Sequence, residues 1–262
     1  MSDTKKQHVL IVASLRPRTG KTLLARLLAE YLTLSGNPRV VFDTDADEPR
    51  LSAFFPGDAK VIDLDRVPDQ MKLFDTLVSD PGKSQVIDLT HRSFAKFFNL
   101  MRDIGYADEA KAAGVEPVIF FILDGSPESY EQALALRERF RDTGLVLVSN
   151  DVVSEPSRAA LNSSGMIGLA GHKPQMRLPL LDPFSISALE DVRLSLSEFI
   201  RRSSQGDAAP PLAAGQMSLA YLSLEARSGI STWLTPIFNE FRRALRHTDI
   251  QAQILAHDRF GA

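Results

Sequence analysis

The chain of 262 residues is 44% hydrophobic and 24% charged, the balance of a globular protein long enough to bury a sizeable core. It has no cysteine, which excludes disulfides, thiolate chemistry and cysteine-bound zinc. A net charge of −3 leaves no global basic field to draw nucleic acid.

Residues 1–7 are polar and lead directly into the short apolar run 8–14. That run is too short to span a membrane and no small-residue cleavage pattern follows it, so a cytoplasmic location is expected. The run reads as a first buried strand: it is β-branched and lacks in/out alternation. Leucines at helical spacing over 21–36 predict a first helix, with Gly36 as its C-terminal cap. Further strands are expected at 39–45, 84–90, 117–124 and 144–151, with a weaker sixth at 175–181. Helices are expected at 93–114 and 126–144, the second opened by Ser126, Pro127 and Glu128. This alternation predicts an α/β fold, a mostly parallel twisted sheet with helices on both faces. The small-residue stretch 203–216 is the linker candidate. It divides a domain at 1–202 from a helical appendage at 217–262, with a break near Gly229 and another at Pro236. Trp233, Ile237, Phe241 and Leu245 share one helical face there. An apolar stripe favours packing within the molecule or on a dimer mate over lipid or DNA binding.

The chemistry concentrates at strand ends. Directly after the first strand comes Ser14-Leu15-Arg16-Pro17-Arg18-Thr19-Gly20-Lys21-Thr22. Gly-Lys-Thr between a strand and a helix is the close of a phosphate-binding loop. Backbone N–H groups at the helix start face an anion, the lysine reaches its oxygens, and the threonine hydroxyl suits Mg²⁺. The opening of the loop departs from that pattern. Leu15 replaces a glycine, Pro17 removes an N–H, and Arg16 and Arg18 add permanent positive charge. Asp43 and Asp45 end the second strand, where a carboxylate can orient water or hold Mg²⁺ through water. Asp47 and Glu48 follow in the same loop, leaving the register open by one pair. Asp88 ends the next strand as a magnesium-associated acid. For His91 and Arg92, a phosphate contact, a partner contact and plain solvation stay open. Asn150 ends the fifth strand, where it serves equally as an amide for a base edge or as a turn former.

From residue 9 to 181 these motifs resemble the ParA/MinD class of P-loop ATPases, whose deviant loop reads Lys-Gly-Gly-x-Gly-Lys-Thr/Ser. Arg16 falls at the signature-lysine position, Pro17 and Arg18 at the two glycines, and Thr19 at the free position. The stretch after Asp88 also resembles the branch containing the plasmid proteins TraL and StbB. The resemblance implies ATP and Mg²⁺ as cofactors. It implies that Arg18, Thr19, Gly20, Lys21, Thr22 and Leu23 bind phosphate, that Asn150 and Pro179 contact adenine, and that Thr22, Asp45 and Asp88 serve the metal. Lys21, Asp43 and Arg16 are the implied catalytic residues, Arg16 acting across an ATP-dependent homodimer. A slowly hydrolysing ATPase switch for positioning, partition or conjugation support follows, with an unidentified protein partner. Non-specific DNA or a membrane surface as a further partner gains nothing from the net charge. The alternatives are an ATP-dependent ligase of the dethiobiotin synthetase or cobyrinate type, and a nucleotide-binding scaffold without hydrolysis.

Overall fold

The structure, a computed structural model, describes residues 7–79, 82–153, 155–172, 175–186, 196 and 224–260. The expected linker at 203–216 lies outside the described residues.

Seven parallel strands form one sheet. They are β1 (Gln7–Ala13), β2 (Arg39–Asp43), β3 (Ala59–Val61), β4 (Ser84–Asp88), β5 (Val115–Leu123), β6 (Gly144–Asn150) and β7 (Gln175–Leu178). Their spatial order is β3-β2-β4-β1-β5-β6-β7. All neighbouring pairs run parallel, and Val12 of β1 is in register with both Asp88 and Phe120. Residues 9–13 of β1 are fully buried because helices cover both faces, which is why the strand shows no alternation.

Helix α1 (Lys21–Leu34) follows β1. Then come α2 (Val67–Ser79), α3 (Phe94–Asp103), α4 (Tyr106–Ala112) and α5 (Pro127–Arg139). Two short helices, α6 (Arg158–Leu161) and α7 (Ser164–Gly168), lie between β6 and β7, and α8 (Leu224–Phe260) comes last. Ser126 caps α5 as expected, its Oγ accepting from Ser129 N at 3.3 Å with Pro127 in the first turn. Two cores result, one on each face. Val12, Val86, Phe120 and Val148 face α1 and α8, while Ile11, Ile87, Phe121 and Leu147 face α2 to α5. Among the described residues, no helix is long and apolar enough to cross a membrane.

Three expectations about elements change. The helix expected at 93–114 is two helices, because Gly105 turns the chain with φ +63 between α3 and α4. The breaks expected at Gly229 and Pro236 are absent, and α8 runs through both. A Cβ at Gly229 would lie 3.0 Å from Ser185 Oγ, so this glycine serves close approach. Pro236 is tolerated because the flanking Trp233, Leu234 and Ile237 are buried, while Thr232, whose carbonyl loses its helical partner, is solvent-exposed. Edge strand β3 and helix α2 were not anticipated. The apolar stripe of α8 packs within the chain: Ile237 and Phe241 are fully buried in the same core as α1, β6 and β7.

Candidate functional site

The strand order reverses direction at β1, which has β4 on one side and β5 on the other. Open α/β sheets bind ligands at such switch points, beyond the carboxyl ends of the strands. A cleft of about 610 Å³ lies there. Pro17, Arg18, Gly20, Lys21, Thr22 and Leu23 line it from the loop and α1. Asp43, Asp45, Asp88, Thr90, His91 and Arg92 line it from the ends of β2 and β4, and Glu48 and Arg50 complete the rim.

The loop between β1 and α1 is tied by its own side chains. Ser14 Oγ lies 2.7 Å from Thr19 Oγ1 and donates to the Arg16 carbonyl at 2.8 Å. Lys21, buried, donates from Nζ to Ser14 Oγ at 3.0 Å and to the Arg16 carbonyl at 2.8 Å. Burial lowers the Lys21 pKa, with Asp88 and Asp45 pulling the other way. Ser14 was not singled out in the sequence; a hydroxyl at the end of the first strand was the available signal. Gly20 forms the N-terminal cap of α1 with φ +95. Arg18 stands at φ +58, the left-handed region, and no other non-glycine described residue does so. The glycine expected there by family pattern is thus replaced by a side chain held at about 1 kcal/mol of backbone strain.

On the acidic side, Thr22 Oγ1 donates to Asp88 Oδ2 at 2.7 Å. Asp88 is 6% exposed, and burial pushes its carboxyl up to about 6. Asp43 is more deeply set. Its Oδ2 accepts from Leu51 N at 2.9 Å and Ser52 N at 3.2 Å, and Oδ1 accepts from Asp45 N at 3.1 Å. Burial raises the Asp43 pKa against those three bonds. Asp45 is half-exposed and pairs with Arg92 at 3.0 Å, and Arg92 also reaches Asp47 at 2.9 Å. Asp43 and Asp45 are the acids that act on Asp88, whereas of the pair after them Glu48 reaches the cleft rim and Asp47 stands outside the lining. Burial, with Lys21 and Arg92 nearby, holds the His91 imidazole below its usual range. Thr44 joins the two acidic loops: its Oγ1 donates to the Asp88 carbonyl at 2.9 Å and accepts from Thr90 N at 2.8 Å.

Arg16 does not line the cleft. Its Nε lies 3.4 Å from Asp124 Oδ2 and its side chain is 59% exposed, with Glu128 further out at 3.9 Å. Asp124 is fixed by Ser126, whose N and Oγ donate to Oδ1 at 3.0 and 2.6 Å. In the sequence Glu128 reads only as a helix-start residue, and the pairing of Arg16 with Asp124 and Glu128 is new, although an aspartate at a strand end ahead of a helix cap is visible.

Asn150 and Pro179, the implied base contacts, are both bonded within the chain. Asn150 is buried and does not line the cleft; its Nδ2 donates to the Thr19 carbonyl at 2.8 Å and its Oδ1 accepts from Val152 N at 3.2 Å. The Pro179 carbonyl accepts from Trp233 Nε1 at 2.7 Å, so this segment is pinned to α8.

Hard oxygen donors, Thr22 Oγ1 and the Asp88 carboxylate, meet in the cleft that Lys21 and Asp45 also line, which fits Mg²⁺ held mainly by phosphate and water. Among the described residues no three His, Cys, Asp or Glu side chains converge as a protein-only metal cage. Sheet, switch point and loop together define a doubly wound α/β protein of P-loop-NTPase-like architecture with an added C-terminal helix. No protein-family model matches the chain, and no curated protein does. Among solved structures, a nucleotide-binding protein from Archaeoglobus fulgidus in complex with ADP is similar at 14% identity and a TM-score of 0.38, over 71% of this chain and 86% of that one. A likeness this loose carries no argument about the site.

Proposed function

We propose that this chain binds ATP with Mg²⁺ in the cleft at the ends of β1, β2 and β4, and works as an ATP-dependent dimerising switch of ParA/MinD type with slow hydrolysis. One observation carries the nucleotide reading. Gly20-Lys21-Thr22 opens the helix at the end of the loop that follows the central strand, with the Thr22 hydroxyl 2.7 Å from the strand-end carboxylate of Asp88. In this reading Lys21 and Arg18 hold the phosphate oxygens. Thr22, Asp88 and Asp45 would hold the metal, which would supply charge neutralisation to the phosphates. Asp43, whose carboxylate sits beside Asp45 and Asp88, orients the attacking water.

Support for dimerisation comes from Arg16. Its guanidinium stands outside its own cleft and largely in solvent, where it can serve the phosphates of a second subunit. Gel filtration of Asp43→Ala with and without Mg-ATP tests the switch. A shift to dimer is expected, and its loss in Asp43→Ala/Arg16→Ala; an unchanged elution volume in Asp43→Ala sinks the idea. Lys21→Ala is expected to abolish ATPase activity, which a non-hydrolysing scaffold would not show in the first place.

The cleft also continues past the carboxylates to Arg50 and Arg92, which favours a second reading, phosphoryl transfer to a carboxylate substrate. Both arginines already have acidic partners, at 2.6 Å for Arg50 and 2.9 Å for Arg92, which weighs against it.

A further inference from the structure

The amide of Asn150 is committed on both sides. Nδ2 donates to the Thr19 carbonyl, 131 residues away in sequence, and Oδ1 accepts from Val152 N. The contact is tight enough to dictate the next residue: a Cβ on Gly20 would lie 2.5 Å from Asn150 Nδ2. Asp151 anchors the same strand end from the other side, accepting from Arg177 Nε at 2.7 Å and from Leu180 N at 3.3 Å. The end of β6 is therefore a fixed post, tied to β7 on one side and to the phosphate loop on the other.

Peptide geometry gives that tie a consequence. The Thr19 carbonyl and the Gly20 N–H belong to one trans peptide unit, and they point in opposite directions. An amide that draws the carbonyl toward β6 turns the Gly20 N–H away from β6. The next N–H groups, at Lys21 and Thr22, follow from the helix that Gly20 caps.

We propose that Asn150 is a positioning residue of the phosphate loop, aiming the backbone donors of Gly20 and the start of α1 at bound phosphate, and that discrimination between bases does not run through it. The inference rests on the nucleotide reading above and concerns which part of the ligand Asn150 serves. Ligands sharing a polyphosphate chain are affected alike, with or without a base.

Titration calorimetry of the full chain with Mg-ATP, Mg-GTP and magnesium tripolyphosphate separates the two roles. Asn150→Ala is expected to weaken all three by about tenfold, the scale of one well-placed hydrogen bond, and to leave the ATP-to-GTP ratio at its wild-type value. Asn150→Asp sets an oxygen against the Thr19 carbonyl and is expected to bind tripolyphosphate more weakly than Asn150→Ala at neutral pH. Its affinity relative to wild type recovers as pH falls, because the protonated carboxyl again donates. That recovery is not expected from a merely damaged fold, and it supplies the comparison if the alanine variant fails to fold. A loss confined to ATP, with tripolyphosphate unchanged, overturns the proposal in favour of base reading. Unchanged affinities throughout overturn it as well. Wild-type protein that binds none of the three defeats the nucleotide reading itself, a result distinguishable from both.

Discussion

Asp88→Asn is expected to stabilise the protein at neutral pH while removing the acid proposed above to hold the metal. The carboxyl is 6% exposed, and its pKa rises from 3.8 to about 6, first through burial and then through Asp43 and Asp45, against the Thr22 hydrogen bond and Lys21. A raised folded-state pKa means the folded form prefers the neutral acid. The group's favourable contribution is complete below about pH 4 and is lost as pH climbs through about 6. Two units at 1.36 kcal/mol each place the cost of the buried charge at about 3 kcal/mol, an upper figure. Asparagine carries no charge, and its Oδ1 can still accept from the Thr22 hydroxyl. The variant should then unfold several degrees higher than wild type at pH 8, since 1 kcal/mol moves Tm by about 2–4 °C in a domain of this size. The advantage should shrink through pH 6 and vanish near pH 4. Thermal unfolding followed by circular dichroism, without divalent ions, measures it across that range. A variant no more stable than wild type at pH 8, or one whose advantage is the same at pH 4, refutes the reasoning.

Arg18→Gly should relieve the left-handed arginine and raise stability by up to about 1 kcal/mol, while weakening tripolyphosphate binding; chemical denaturation and calorimetry report the two effects separately. Phe241→Ala should cost about 3–5 kcal/mol in urea unfolding, because the ring is fully buried and meets Tyr31 and Phe120 edge-on. Gly20→Ala should fail to bind phosphate ligands even where it folds, since the new Cβ meets the Asn150 amide and φ is +95; loss of the calorimetric signal checks this.

The strands that carry the site were legible because burial on both faces left uninterrupted β-branched runs, and the loop closing on Gly20, Lys21 and Thr22 follows the first. Edge strand β3 was not legible: its three residues, Ala59–Val61, are half-buried or exposed and carry no period. Gly105 and Gly229 are alike on paper, yet one turns the chain and the other admits Ser185. Only the third dimension separates a glycine needed for φ from one needed for space. The carboxylates of Asp43 and Asp88 could be placed by their strand ends, but the Asp43 bonds to Leu51 and Ser52 depend on a loop path no pattern encodes. Asn150 shows the limit most clearly. Its place at the end of β6 is legible, but an amide there can face a ligand or the loop, and its bond to the Thr19 carbonyl spans 131 residues of sequence.

The arrangement of β1 and α8 also bears on how the chain comes to be folded. β1 sits at the sheet centre and completes its pairing only with β4 and β5, so the first strand made must wait for partners more than seventy residues later. One face of β6 and β7 is then closed by Ile230, Trp233, Ile237 and Phe241, which are synthesised after every strand of the sheet. Until α8 docks, Val148 and Met176 present an apolar surface to solvent, and such surfaces recruit other chains. High sequence separation of this kind slows folding, so the interval is long on the scale of helix formation. A chain cut before Leu224 would keep all seven strands and the whole phosphate loop, and would be expected to aggregate with its chemistry complete.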